Sequence, residues 1–145
     1  MKIALIGYGN MGKEIEKILA ETKSHEIVSV SYRKTTDGLD KEGIKKADVV
    51  LDFTSPEIVL KNIKEVASLD KNLVIGTTGW YENLEEVKTI VKENNIGLIY
   101  GQNFSIGANI FFKIVSFSSG LLSKFGDYDV FGYEIHHKGK KDSPS

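Results

Sequence analysis

The chain has 145 residues, 41% of them hydrophobic and 27% charged, with a formal net charge of −1 and no cysteine. That is room for one domain with a core; it excludes disulfide and thiolate chemistry, and it gives the molecule as a whole no attraction for nucleic acid or an anionic membrane. The opening MKIALIGYGN meets glycine too early for a signal peptide, and no apolar run reaches the length of a membrane span, so a cytoplasmic domain with neither a nucleic-acid nor a membrane partner is expected.

Strand-like and helix-like segments alternate, which predicts an α/β fold on a largely parallel sheet. Residues 2–6 (KIALI) form an apolar run of buried-strand type, and 11–22 follow as a helix with Met11, Ile15, Ile18 and Leu19 on one face. Residues 26–32 (EIVSVSY) alternate as a strand. Residues 33–46 are polar, with Gly38 and Gly43, and predict a loop. Residues 49–53 (VVLDF) are a third strand. Ser55-Pro56-Glu57 then opens a helix with a hydroxyl cap, a proline in the first turn and an acid at the positive end, and Val59, Ile63 and Val66 point inward from it. A short strand at 73–75, a helix at 84–94 carrying Leu84, Val87 and Val91, and a strand at 96–100 follow. Residues 106–124 have helical length but are apolar on nearly every side, as in a helix covered by more protein than two layers supply. A last strand is expected at 129–135, delivering EIHHKGKKDSPS.

Gly7-Tyr8-Gly9-Asn10-Met11-Gly12 is G-x-G-x-x-G between the first strand and the first helix, the setting in which the pattern means dinucleotide binding. The first glycine permits the tight turn, the second lets a pyrophosphate reach the backbone, and the third lets helix and strand pack closely. The helix N-terminus adds free N–H groups and partial positive charge. The bland alternative is a structural turn that binds nothing. A dinucleotide site usually has an acid at the end of the second strand for the adenine ribose. Here the strand runs into Tyr32-Arg33-Lys34, two cations better suited to a 2′-phosphate, so NADPH is expected to be preferred and NADH to remain possible; otherwise Arg33 and Lys34 simply solvate a loop.

Ligands of open α/β sheets bind beyond the carboxyl ends of the strands. Asp52-Phe53-Thr54, Gly76-Thr77-Thr78-Gly79 and Gly101-Gln102-Asn103-Phe104-Ser105 occupy those ends, with small and hydroxyl residues able to hold a nicotinamide amide and ribose. A plain strand-to-helix turn is the competing explanation for GTTG. His136 and His137 are neighbours on the expected last strand and so point to opposite faces, which with the absence of any zinc-ligand spacing predicts no metal. An acid active near neutral pH beside Lys138, Lys140 and Lys141 suits reduction of an anionic substrate, since hydride transfer to a conjugated system leaves negative charge to be stabilised and protonated. A solvated basic tail is the alternative.

The stretches GYGNMG, DFTSPE, GTTG, QNFSIGAN and EIHHKGKKDSPS together resemble the dihydrodipicolinate reductase family, and the resemblance runs from residue 2 to 145. It implies a Rossmann-type dinucleotide-binding domain over 1–104, followed by the start of an α+β substrate and oligomerisation domain over 105–145, incomplete because the family continues past Pro-Ser. It implies NAD(P)H-dependent reduction of a cyclic dicarboxylate in the diaminopimelate and lysine pathway. His136 would be the catalytic acid/base residue and Lys140 the proton donor and carboxylate partner; His137 and Thr78 would contact substrate. Gly7, Gly9, Asn10, Met11, Gly12, Arg33 and Phe53, with Gly76, Thr77, Thr78, Gly101, Gln102, Asn103 and Phe104, would bind the cofactor, and Asn103 and Phe104 would begin a hinge. Family members are typically homotetramers. The glycine turn is one residue shorter than in many members, and Tyr32 stands where they often carry an acid, which puts NADH use in doubt. The alternatives are a non-catalytic dinucleotide-binding sensor or regulatory module, and a similar reductase acting on an imine or semialdehyde.

Overall fold

The computed structural model describes residues 1–32 and 38–135. The chain divides into two compact units, Met1–Phe104 and Ser105–Ser145. The first carries β1 (Lys2–Ile6), α1 (Asn10–Thr22), β2 (Glu26–Ser31), α2 (Lys41–Lys46), β3 (Val49–Asp52), α3 (Pro56–Ala67), β4 (Asn72–Ile75), a 3₁₀ turn (Tyr81–Asn83), α4 (Leu84–Glu93) and β5 (Leu98–Tyr100); the second carries α5 (Ile106–Leu122).

The five strands form one sheet in the order β2-β1-β3-β4-β5, every described pairing parallel. The order reverses between β1 and β3, the crevice where doubly wound sheets take their ligands; the fold is Rossmann-like. Its core is built from Ala4 and Ile6 of β1, Val50, Leu73 and Ile75 of the neighbouring strands, and Val59, Ile63 and Val66 of α3, all buried. The inward face of α3 is the one its periodicity predicts. On α1, by contrast, Ile15 and Leu19 are half-buried while Met11 and Ile18 are exposed, Met11 at 52%, so the apolar stripe is narrower than expected.

Three expectations fail for identifiable reasons. The loop predicted over 33–46 gives way at its end to α2. The Asp40 side chain accepts the Gly43 N–H at 3.0 Å and the Ser29 hydroxyl at 2.8 Å, while Ile44 is fully buried. One capping acid and one apolar anchor suffice for a short helix but leave no periodicity to read. Ser55 takes the N-cap position of α3 without a side-chain cap bond; its hydroxyl is buried with no partner. Proline at the first position and the Ser55 carbonyl, which accepts Ile58 N–H and Val59 N–H, set the start of the helix instead. Finally, 129–135 form no strand: Phe131 is 89% exposed, and Tyr133 and Ile135 are exposed with it. Strand-forming residue types make a strand only where a neighbour can complete the ladder.

In the second unit the Ser105 hydroxyl accepts the Ala108 N–H at 3.3 Å and caps α5. Its large apolar side chains, among them Ile106, Phe111, Phe112, Ile114 and Phe117, are exposed. Among the described residues no helix is long and apolar enough to cross a membrane.

Candidate dinucleotide site on the carboxyl rim

The turns leaving the carboxyl ends of β1, β3, β4 and β5 start at one level. Ile6 is in register with Asp52, Asp52 with Ile75, and Ile75 with Tyr100, so Gly7, Phe53, Gly76 and Gly101 come next in a row. The ladder runs on through them. Gly7 N–H donates to the Ser31 carbonyl at 2.9 Å, Phe53 N–H to Ile6 at 2.9 Å, Gly76 N–H to Asp52 at 2.9 Å and Gly101 N–H to Ile75 at 3.2 Å. Phe53 is the wedge in this row. A Cβ at Gly7 would sit 2.7 Å from its carbonyl carbon, and one at Gly76 would sit 2.8 Å from its ring Cζ.

The three glycines of the first turn serve different ends. Gly7 has φ +91°, left-handed backbone in which a side chain is strained. A Cβ at Gly12 would overlap the Gly7 carbonyl oxygen, whereas one at Gly9 would meet nothing within 4 Å. Gly9 is the N-cap of α1, a 13-residue helix with no side-chain cap and no acid in its first turn. The first N–H groups of α1, at Asn10, Met11 and Gly12, have no partner within the helix, and the space beside Gly9, at the positive end of the dipole, is open. That is the arrangement by which helix N-termini take phosphates when no Cβ holds them off the backbone.

At the end of β2, Tyr32 packs edge-on against Tyr8, ring centroids 5.2 Å apart, and the Tyr8 hydroxyl donates to Glu16. This bond, ahead of burial, raises the Tyr8 hydroxyl above the ordinary tyrosine value. Beside it lies a cavity of about 120 Å³ lined by Ile6, Tyr32, Leu39, Thr54, Ile58 and Lys61 among others. Lys61, which in the sequence reads as one more charge on the outer face of α3, is a described cation lining this cavity. Arg33 lies outside the described residues, as do His136, His137 and Lys140. A wider hollow of about 620 Å³ lies at the opposite, amino ends of the strands around Lys2, Lys23, Glu26 and Asp48, away from where α/β sheets hold their ligands.

Asp52, fully buried at the end of β3, ties the rim together. Its Oδ1 accepts the Thr54 N–H at 3.0 Å, the Thr54 hydroxyl at 2.6 Å and the Thr77 hydroxyl at 3.1 Å; its Oδ2 accepts the Asn62 amide at 2.8 Å. Burial raises its carboxyl above the usual aspartate range, and the bonds from Thr54, Asn62 and Thr77 oppose that shift. The acid inside an apolar run was visible in VVLD, but its partners, scattered from residue 54 to 77, were not. In the GTTG turn the Thr77 side chain is buried and Thr78 is exposed. Gly79 is left-handed at φ +79°. Gly101, Gln102, Asn103 and Phe104 close the rim beyond β5, with the Phe104 ring folded onto Gly101, 3.2 Å from where a Cβ would be.

The family model for the N-terminal part of dihydrodipicolinate reductase matches residues 1–104. The chain belongs to the dihydrodipicolinate reductase family. Over 147 residues it is 37% identical to the 4-hydroxy-tetrahydrodipicolinate reductase of Christiangramia forsetii, covering all of this chain and 59% of that protein. It is 41% identical over 144 residues to the enzyme of the same name from Methanococcus aeolicus, covering 97% of this chain and 45% of that one. The chain thus spans about half the length of the curated relatives it matches. Among solved structures, the dipicolinate-bound dihydrodipicolinate reductase of a Paenisporosarcina species superposes with a TM-score of 0.67 at 27% identity, covering 82% of this chain and 53% of that one. A homoserine dehydrogenase from Thiobacillus denitrificans, at 14% identity and a TM-score of 0.57 over 69% of this chain and 29% of its own, shares the fold alone.

Proposed function

We propose that this chain binds NAD(P)H along its carboxyl rim and serves the reduction of 4-hydroxy-tetrahydrodipicolinate to tetrahydrodipicolinate, the reaction its relatives' names describe. The observation that carries the proposal is the split among the glycines: Gly7 and Gly12 are required by packing, and Gly9 alone keeps space open over an uncapped helix end. Phosphates would take the N–H groups of Asn10, Met11 and Gly12. Phe53, the turn Gly76–Thr77–Thr78 and the segment from Gly101 to Phe104 would hold the nicotinamide half.

A dinucleotide held there would supply a hydride. The substrate would gain that hydride and a proton and lose its hydroxyl as water, which balances electrons and atoms. His136 and Lys140 would handle the proton, with Lys140 pairing a substrate carboxylate and His137 and Thr78 contacting the ring; a positioned donor commonly contributes about 10²–10⁴ in rate. Arg33, with Lys34, would favour NADPH by pairing its 2′-phosphate. The homo-oligomer that the resemblance implies and the cytoplasmic setting expected from the sequence stand as proposals beside it.

The test is to titrate the chain with NADPH and with NADH by fluorescence, then follow loss of reduced-nicotinamide absorbance on adding substrate. NADPH binding tighter than NADH binding, with turnover abolished and binding kept in His136→Ala combined with Lys140→Ala, supports the proposal. Absence of dinucleotide binding refutes it, and binding without any dependence of turnover on His136 and Lys140 favours the non-catalytic module instead.

A further inference from the structure

The two adjacent threonines of the GTTG turn, Thr77 and Thr78, are of one residue type and occupy different environments. Thr77 is 5% exposed. Its hydroxyl accepts the Thr54 N–H at 2.8 Å and donates to Asp52 Oδ1 at 3.1 Å, and its carbonyl accepts the Trp80 indole N–H at 2.8 Å. Side chain and carbonyl of Thr77 are thus both engaged inside the fold, one on β3 and its turn, the other on the buried Trp80. Thr78 follows and is exposed.

Resting on the dinucleotide assignment above, we infer that Asp52 and Thr77 are positioning residues: the buried carboxylate and the hydroxyl on it hold the Gly76–Gly79 turn so that Thr78 faces the nicotinamide half of the ligand. A carboxylate fully removed from water is costly unless several donors surround it. An apolar side chain would fill the end of β3 without that cost. What the carboxylate adds is geometry, because three of its four hydrogen bonds come from Thr54 and Thr77, in two separate rim turns, and the fourth, from Asn62, anchors it to α3. Charge-assisted bonds of this kind are short and directional. Among the described hydrogen bonds, the Thr77 hydroxyl is the one link from the Asp52 carboxylate to the β4 turn, so removing it loosens that turn while Thr54 keeps its own bonds to Asp52.

The decisive variants are Thr77→Val, which keeps the shape and leaves no buried donor without an acceptor, and Thr77→Ser, which keeps the hydroxyl. The probes are NADPH and 2′,5′-ADP, the latter carrying the adenylate half alone, both measured by calorimetry on the full chain. Thr77→Val is expected to weaken NADPH about tenfold while 2′,5′-ADP stays within about twofold, and Thr77→Ser to restore NADPH to within about threefold of the native chain. NADPH affinity unchanged in Thr77→Val overturns the inference. So does an equal loss for both probes, which marks general loosening, or a Thr77→Ser as weak as Thr77→Val, which assigns the effect to methyl packing. If the native chain binds 2′,5′-ADP and NADPH not at all, the dinucleotide assignment itself falls.

Discussion

Placing a methyl group at Gly9 should separate binding from folding. Its Cβ would meet nothing within 4 Å, and its φ of −85° suits any L-residue. Alanine is a poorer N-cap than glycine, which costs a few tenths of a kcal/mol or somewhat more, but replacing glycine restricts the unfolded chain and returns about 0.4–1 kcal/mol. The two effects nearly cancel, so Gly9→Ala should melt within about 2 °C of the native chain. The same methyl occupies the space over the first N–H groups of α1. Displacing a phosphate from one or two charge-assisted bonds, at roughly 1.5–3 kcal/mol each, predicts NADPH binding about 10- to 100-fold weaker or worse. Gly12→Ala is the internal contrast. Its Cβ would overlap the Gly7 carbonyl oxygen, so the backbone must shift at a cost of about 1–3 kcal/mol. Melting followed by circular dichroism, paired with fluorescence titration of NADPH, checks both. A Gly9→Ala chain that binds NADPH as well as the native one refutes the reasoning, and so does one that loses stability as Gly12→Ala does.

Arg33→Ala should weaken NADPH about tenfold or more and leave NADH nearly unchanged, because only the 2′-phosphate loses a partner; equal losses for both cofactors in the same titration would contradict this. Asp52 predicts a pH dependence of definite sign. Burial raises its folded carboxyl above the ordinary aspartate value, so between the ordinary and the raised value the folded chain binds more protons than the unfolded one, and this group's contribution to stability falls as pH rises through that window. Relative to Asp52→Asn, the native chain should therefore gain stability on acidification through the carboxylate range; a relative loss in urea titrations would show the sign to be wrong. Ile63→Ala, at a fully buried position of α3, should cost about 2–5 kcal/mol in the same assay, and a loss below about 1 kcal/mol would mean that α3 packs less closely than described.

The legible parts of the fold were those where one physical signal dominates. KIALI is apolar throughout and became β1; the Val59, Ile63 and Val66 spacing became the inner face of α3. GYGNMG declared its turn because its position between strand and helix restricts what such glycines can do. The Phe53, Gly76 and Gly101 turns were legible as a group for the same topological reason. The division of labour within them was not, since the environments of Thr77 and Thr78 are decided by Asp52 across the sheet. The α2 helix escaped notice because its stability comes from Asp40, Ser29 and Ile44 rather than from a periodic face. Residues 129–135 misled for the opposite reason: Val130, Phe131, Tyr133 and Ile135 are strand-forming residue types, but among the described residues no strand pairs with them. Met11 and Ile18 show that a helical stripe states what can be buried, while the neighbours decide how much is.

The most direct test of the central claim, that the glycine turn and the β4 and β5 turns form one rim for a single dinucleotide, is amide hydrogen exchange of the chain with and without NADPH. Slower exchange at Tyr8–Gly12, Gly76–Gly79 and Gly101–Phe104 together, with the amino-end residues Lys23–Glu26 unchanged, is the predicted result. Protection confined to one of these turns, or centred on the amino ends of the strands, would contradict it.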